Sequence, residues 1–468
     1  MTKNIRRFAG ISSGGLLLGL LSLAMFPASA RADAESDGQA RDLYEDLVNF
    51  PSSKLRGGTR EIAEFVGKTM LAGGFPAEDV HVLGPREDIL GVVVRYRGRG
   101  EGRPVMMMAH LDVVEALRED WNMDPFTFME KDGYFYGRGT SDNKAGDAVL
   151  IANFLRLKKE GFVPARDMIM VLSGDEETVA ESIKYLLAEQ RDLVDAEFSL
   201  NTDGGGIPYV DGKPAAFVIQ GAEKVYLTFK LEVANPGGHS SVPRPDNAIY
   251  ELAAGLVKLA EYKFPVSLND VTRSFFQASA MSQDPEHAAA MQALVNNMAT
   301  PDQLALLAQS PVYNSMMRTT CVATELLGGH AENALPQMAQ ATVNCRVLPQ
   351  DSPSQVEATL KQVLGNDGIK MTATFPPIAS PPSPMTPAII ELLGGVAGQM
   401  YPGLPVVGQM STGATDGLHT RNAGIPTYGV SALGGDPTDI RAHGRDERVG
   451  VESFYKSLEY WYRLMKNL

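Results

Sequence analysis

PVMMMAHLD (residues 104–112), DMIMVLSGDEE (167–177) and AEFSLNTDGGG (196–206) decide the fold. Each is a short apolar run followed at once by a polar turn. Nearly continuous apolar runs of this length mark strands buried on both faces of a parallel sheet. Loops at the carboxyl ends of such strands face a shared crevice, where ligands bind. The turns carry His110, Asp112, Glu176, Glu177 and Asp203. Imidazole and carboxylate converging on one crevice make a donor set for divalent metal. Met106 to Met108, which could pass for a soft-metal box, read as buried strand core.

Outward from these runs, residues 35–221 alternate strand and helix patterns. Helices are expected over 41–48, 60–72, 144–160 and 178–189, and strands over 89–97, 104–109, 167–172 and 196–200. That alternation implies a largely parallel sheet covered by helices. After about Gly221 the grammar changes. VYLTFKLEV (225–233) alternates as a half-solvated strand does. A helix at 247–262, strands at 319–327 and 341–347, a helix at 354–364 and a strand at 370–375 complete a β-α-β-β-α-β order. A mostly helical insert, 263–317, interrupts it. PPIASPPSPMTP (376–387) reads as a linker, and the α/β grammar returns up to residue 468. The expected fold is α/β, with a mostly parallel catalytic sheet (35–221 and 378–468) and an inserted ferredoxin-like α+β domain (222–377).

The 468 residues carry a formal net charge of −14. That balance speaks against nucleic acid or anionic lipid as a partner. The first thirty residues pair a basic start, MTKNIRRFAG, with an apolar run and Ala28-Ser29-Ala30. This is the pattern of a cleavable export signal, cut after Ala30, leading to a secreted or periplasmic protein without a stable membrane anchor. The apolar run is short for a membrane span. No Asn-x-Ser/Thr sequon occurs, which leans toward a bacterial periplasm. Cys321 and Cys345 both fall in expected strands. Two buried thiols is the commoner state for so cysteine-poor a chain, with a disulfide between them the alternative.

Site by site, each residue has a plain structural alternative. His110 closes a strand, and Asp112 is placed to hold its second ring nitrogen; a capped turn explains them too. Asp142 stands just before a helix, where Asp is a good N-cap, yet its two oxygens can also serve two metals. Adjacent Glu176 and Glu177 point different ways, so one can ligate metal while the other acts as general base. An acidic first helical turn is the plainer account. Asp203 opens a Gly-Gly-Gly turn that lets backbone pass close to something. His443, taken alone, is a surface histidine.

Order and spacing carry more than any single residue. HLDVV (110–114), WNMDPF (121–126), DGYFYGRGTSDNKAG (132–146), SGDEE (173–177), NPGGHSSVP (235–243), ENALP (332–336), ATDG (414–417) and AHGRDERV (442–449) resemble the M20 family of metallopeptidases, a carboxypeptidase, dipeptidase and aminoacylase group. The resemblance spans nearly all of the chain after residue 30. It implies a zinc-exopeptidase-like catalytic domain and a lid domain that usually forms a homodimer. It implies two Zn2+ per subunit, with Co2+ or Mn2+ as alternatives. In that pattern His110 and Asp203 hold one metal, Glu177 and His443 the other, and Asp142 bridges them. Asp112 orients His110, and Glu176 is the general base. His239 is the lid histidine, which often reaches the partner subunit's site, and Asn333 and Arg346 hold the substrate's carboxylate end. Thr415 and Asp416 match a loop near the site and receive no catalytic role.

The implied activity is cleavage of a peptide or amide bond to release an amino acid, carboxypeptidase- or dipeptidase-like, or else hydrolysis of an N-acyl amino acid. The chain departs from the pattern where SGDEET continues as VAES, and where 263–317 exceeds a minimal lid. His81, His287, His330 and His419 match no ligand position. A non-catalytic binding protein on a peptidase fold would show a broken ligand set or a lost base, and all are present here. Structural zinc prefers closed Cys/His sites, which this carboxylate-rich set is not.

Overall fold

The computed structural model describes residues 28–468. The apolar part of the expected export signal lies outside the described residues. Ala28–Val48 is one helix, longer than the 41–48 segment expected.

An eight-stranded sheet forms the centre. Its order is 80–86, 89–96, 168–173, 105–110, 198–201, 427–429, 217–223, 406–411. The three middle strands that announce the fold, 168–173, 105–110 and 198–201, run parallel. Every residue of Val105–His110 and Met168–Ser173 is buried, as strands covered on both faces require. Helices Ala28–Val48, Arg60–Ala72, Lys144–Lys159, Pro387–Met400 and Val451–Lys466 supply the covering core, with Tyr44, Phe154, Phe454 and Trp461 fully buried. The helix expected over 178–189 begins only at Glu181. Thr178 and Ala180 donate to the Asp175 carbonyl, and Asp175 caps the helix by accepting from the Glu181 and Ser182 backbones. The antiparallel edge strand Val80–Arg86 was not apparent in the sequence.

The second sheet has the order 320–328, 338–347, 225–234, 370–373, all antiparallel. Numbered along the chain this is 2-3-1-4, the ferredoxin-like arrangement. Helices Ala248–Glu261 and Pro353–Leu364 bury Leu252, Leu259, Val356 and Leu360 on it. Met338–Val347 alternates buried and less buried residues along its whole length, so this sheet is covered on one face. The insert forms helices 270–279, 285–295, 301–307 and 311–317, three of them started by a Pro in the first turn. Its core takes in Ala222 and Met410 from the last two strands of the central sheet, as well as Leu348.

The expectation of two thiols is corrected. Cys321 and Cys345 form a disulfide. The two residues stand directly opposite each other in the antiparallel pair, which brings their Cβ atoms within bonding reach. Register between strands is invisible in a sequence, and so was their adjacency. The bond closes a sequence separation of 24, worth roughly 3 kcal/mol by loop entropy. The Cys321→Ser/Cys345→Ser double variant should therefore unfold at lower denaturant by about that amount. Thiol titration of the denatured, non-reduced protein should find no free cysteine; two titratable thiols would contradict the bond.

Candidate functional site

Three parallel strands end at the same edge of the sheet. His110 is the last residue of its strand, Glu176 and Glu177 follow Met168–Ser173, and Asp203 follows Phe198–Asn201. Asp142 comes from the turn just before helix Lys144–Lys159, with Asn143 in the N-cap position. His443 comes from the loop before Arg448–Gly450, in a left-handed conformation (φ 62°).

The structure brings these together. Asp142 Oδ1 lies 2.9 Å from His110 Nε2, and its Oδ2 lies 3.1 Å from His443 Nε2. Asp203 Oδ2 is 3.9 Å from His110 Nε2, and Glu177 Oε1 is 2.9 Å from His443 Nε2. Two three-residue donor sets result, His110–Asp142–Asp203 and Asp142–Glu177–His443, each with ligand atoms within 4.8 Å of one another. Asp142 belongs to both. Glu176 completes a third grouping with His110 and Glu177. A three-residue donor set would leave a position open on an ion held there, as catalytic sites need and structural ones do not.

Electrostatics make the same case for a cation. Burial and the Asp142 carboxylate push Asp203 up to about 7. Burial and Asp203 push Glu176 well above the usual carboxylate range. Burial lifts Asp416, from the neighbouring loop, to about 7. Against the pull of burial, His110 and His443 hold Asp142 below the ordinary range. Hydrogen bonds to Asp142 and Glu177 raise His443 to about 10. Carboxylates packed this closely repel one another, and positive charge among them relieves the repulsion. Imidazole and carboxylate without thiolate suit zinc and neighbouring divalent metals.

The supporting shell divides its work differently from the expectation. His110 Nδ1 lies 3.0 Å from the Asp112 carbonyl and 3.5 Å from its carboxylate. The Asp112 carboxylate instead accepts from the Glu176 and Glu177 backbones, both at 3.0 Å. Asp112 thus fixes the imidazole with its backbone and the two glutamates with its side chain. Gly205 has φ +66°, and a Cβ there would meet Val218 O at 2.4 Å and Gly429 O at 2.5 Å. The glycines after Asp203 accommodate neighbouring backbone.

Glu447 escaped the sequence reading. It is fully buried, and five donors converge on it. Its Oε1 accepts from Ser141 N, Ser141 Oγ and Asp142 N, and its Oε2 from Gly139 N and Arg138 Nη1. Arg138 Nη2 donates onward to Gly444 O, beside His443. One ion pair therefore ties the Asp142 turn to the His443 loop. The signal was present: Glu447 stands four residues after His443 in AHGRDERV, and Arg138 four before Asp142.

The lid residues sit elsewhere. His239 is exposed, and its Nδ1 accepts from Ser241 N while also bonding Ser241 Oγ. Its strand pairs Ala334, so Asn333 is close by, and the Asn333 carbonyl accepts from Ser240 N. His239 is not among the groups that meet at Asp142. Arg346 lies over the Tyr226 ring and donates to Thr412 O at 2.6 Å, in the loop that leads to Thr415 and Asp416.

Comparison with known proteins agrees with this geometry. The family described as peptidase family M20/M25/M40 matches residues 106–467. N-fatty-acyl-amino acid synthase/hydrolase PM20D1 of Mus musculus is 26% identical over 388 residues, covering 78% of this chain and 74% of its own. Probable carboxypeptidase S-like 2 of Dictyostelium discoideum is 28% identical over 392 residues, covering 80% and 74%. Among solved structures, the M20 family metallo-carboxypeptidase Sso-CP2 from Sulfolobus solfataricus superposes with a TM-score of 0.67 at 18% identity. That match covers 92% of this chain and 98% of the other.

Two outcomes follow from the site. With His443 raised to about 10 and Asp203 to about 7, the metal-free site holds protons that ligation must displace. Metal binding at pH 7 should release protons, and apparent affinity should fall as pH drops. Calorimetry in buffers of different ionisation heat checks this, and zero net release would contradict it. Glu447→Gln should weaken one metal equivalent about 10–100-fold, the usual cost of losing an outer-shell partner, as read by chelator competition.

Proposed function

The chain belongs to peptidase family M20/M25/M40, and from that premise we propose that it is a di-zinc amide hydrolase that releases an amino acid from a peptide or an N-acyl amino acid. The observation that carries this reading is the sharing of Asp142 between two donor sets, with Glu176 half-buried beside them. His110, Asp142 and Asp203 would hold one ion and Asp142, Glu177 and His443 the other. Bound there, the ions supply Lewis acidity, polarising a carbonyl and lowering the pKa of water.

The chain's own residues do the rest. Among the described residues no protein group hydrogen-bonds the Glu176 carboxylate, which leaves it open to the attacking water. Glu176 takes that water's proton as the oxygen joins the acyl carbon. As the C–N bond breaks, Glu176 returns the proton to the departing amine. The products are a carboxylate and a free amino acid. The His110 Nδ1 contact with the Asp112 carbonyl keeps Nε2 aimed at the metal position. Arg346 and Asn333 would hold the carboxylate of the leaving amino acid.

His239 would stabilise the oxyanion from a partner subunit. Two features support pairing through the lid. His239 is exposed. The edge strand Thr320–Gly328 leaves Val322, Leu326 and Leu327 exposed by 58–66%, and unpaired edges of that kind invite another chain. The disulfide fits an oxidising compartment, in line with export directed by residues 1–30. The carboxypeptidase S-like relative favours peptides as substrate, and the PM20D1 relative favours N-acyl amino acids.

Glu176→Gln should fold and keep its metal yet lose at least about 100-fold in kcat, the lower range for a general base. Near-normal turnover would end that assignment. His239→Ala should lower kcat about 100-fold, as loss of one oxyanion donor does, with metal content unchanged. Loss of metal in that variant would show His239 to be a ligand instead.

A further inference from the structure

The chain crosses between the central sheet and the lid twice, and both crossings meet at one buried ion pair. Glu223 ends the central strand Phe217–Glu223, and the first lid strand starts two residues later at Val225. The chain returns through residues 376–386. Glu223 Oε2 lies 2.7 Å from Arg421 Nη2, with Arg421 2% and Glu223 0% exposed at their side chains. Arg421 Nε donates to Ser380 Oγ in the return segment at 3.3 Å, and Ser383 N donates to Gly221 O at 2.7 Å. A buried ion pair is a weak source of stability in itself. The use of this one lies in what it holds in place.

The second oxygen of Glu223 faces the substrate side. Its Oε1 accepts from Thr415 Oγ1 at 2.7 Å and from Gln220 Nε2 at 3.0 Å. Gln220 and Thr415 line the same cleft as Asp142 and Asp203. Thr415 closes the exposed run 412–414, which follows strand Val406–Ser411 and precedes helix Gly417–Asn422. Its hydroxyl also accepts from Gly417 N at 3.0 Å, so the loop is tied to Glu223 on one side and to the helix on the other. Within the run, Thr412 O accepts from Arg346 Nη1 at 2.6 Å, and Arg346 Nε donates to Asn344 Oδ1 at 3.3 Å. Those two bonds fix the plane of the guanidinium. Among the described residues, Nη2 donates to no protein group, and its direction depends on where Thr412 stands.

Resting on the amide-hydrolase reading, in which Arg346 holds the carboxylate of the leaving amino acid, we propose that Glu223 is a positioning residue for that carboxylate. Clamped by Arg421 at the two crossings, Glu223 fixes Thr415. Thr415 fixes the loop, and the Thr412 carbonyl orients Arg346. Glu223 itself reaches neither substrate nor the two donor sets around Asp142. Its loss weakens the grip on the amino acid and leaves the reacting carbonyl alone, so the effect falls on KM and spares kcat.

The test uses the zinc-loaded full protein on Ala-Leu, Ala-Phe, N-acetyl-leucine and N-octanoyl-leucine, with the best-cleaved compound carried through the variants. Thr415→Val cuts the link and leaves the Glu223–Arg421 pair in place, whereas Glu223→Gln removes the charge. Each should raise KM at least about tenfold, the scale of a hydrogen bond to a charged group. Changes in kcat should stay within about twofold, with zinc content unchanged. Should the Glu223 variant not fold, Thr415→Val decides. In an Arg346→Gln background, Thr415→Val should alter kcat/KM by less than about twofold, because residues acting through one another are not additive. A purely structural role would lower Tm and leave KM where it was. An unchanged KM in Thr415→Val, full additivity with Arg346→Gln, or loss of zinc from Thr415→Val would overturn the positioning role and leave the hydrolase reading standing. Cleavage of none of the four compounds by the parent protein would overturn the hydrolase reading, and this role with it.

Discussion

The structure turns on the crowding of acid at one edge of a sheet. Asp142, Glu176, Glu177 and Asp203 lie within reach of two histidines, and Asp416 adds a further buried carboxylate. No arrangement of protein groups alone makes that comfortable, because buried carboxylates disfavour one another's ionised state. Asp203 and Glu176 register the strain as carboxyl groups pushed upward. Divalent cations would relieve it, so the placement that disfavours these carboxylates on their own suits a metal site. Asp142 is the pivot, since each of its oxygens faces a different histidine.

Holding that pivot requires residues that never touch substrate. The Asp142 turn and the His443 loop are about 300 residues apart in the chain, and the Arg138–Glu447 pair, 3% and 0% exposed at its two side chains, joins them. A buried ion pair is a weak source of stability in itself. Here its five donors and its onward bond to Gly444 fix the relative position of two loops. Asp112 does the equivalent work on the other side, with one carboxylate holding both glutamate backbones. On this view stability is secondary in both groups, and ligand geometry is what they secure.

Much of this was legible from the chain. The three apolar runs announced the parallel strands because a strand buried on both faces has no polar position to disguise it. The residues of the two donor sets were legible because each stands in the turn after such a run, or in a motif shared with a family. Val80–Arg86 was not, because an edge strand with partly solvated residues and a Gly-Pro pair carries little periodicity. The disulfide was not, because it depends on cross-strand register. Glu447 was not, because four of its five donors are a hydroxyl and backbone N–H groups on a distant turn. A carboxylate of that kind looks in sequence like any surface acid. The insert was legible as helical, but its packing against Ala222 and Met410 was not.

The central claim is that one carboxylate serves two metals. Anomalous diffraction from zinc-loaded crystals tests it most directly. The account predicts two peaks flanking Asp142, one beside His110 and Asp203 and the other beside Glu177 and His443, with Glu176 unligated. A single peak, or a second peak held by Glu176 in place of Glu177, would contradict it.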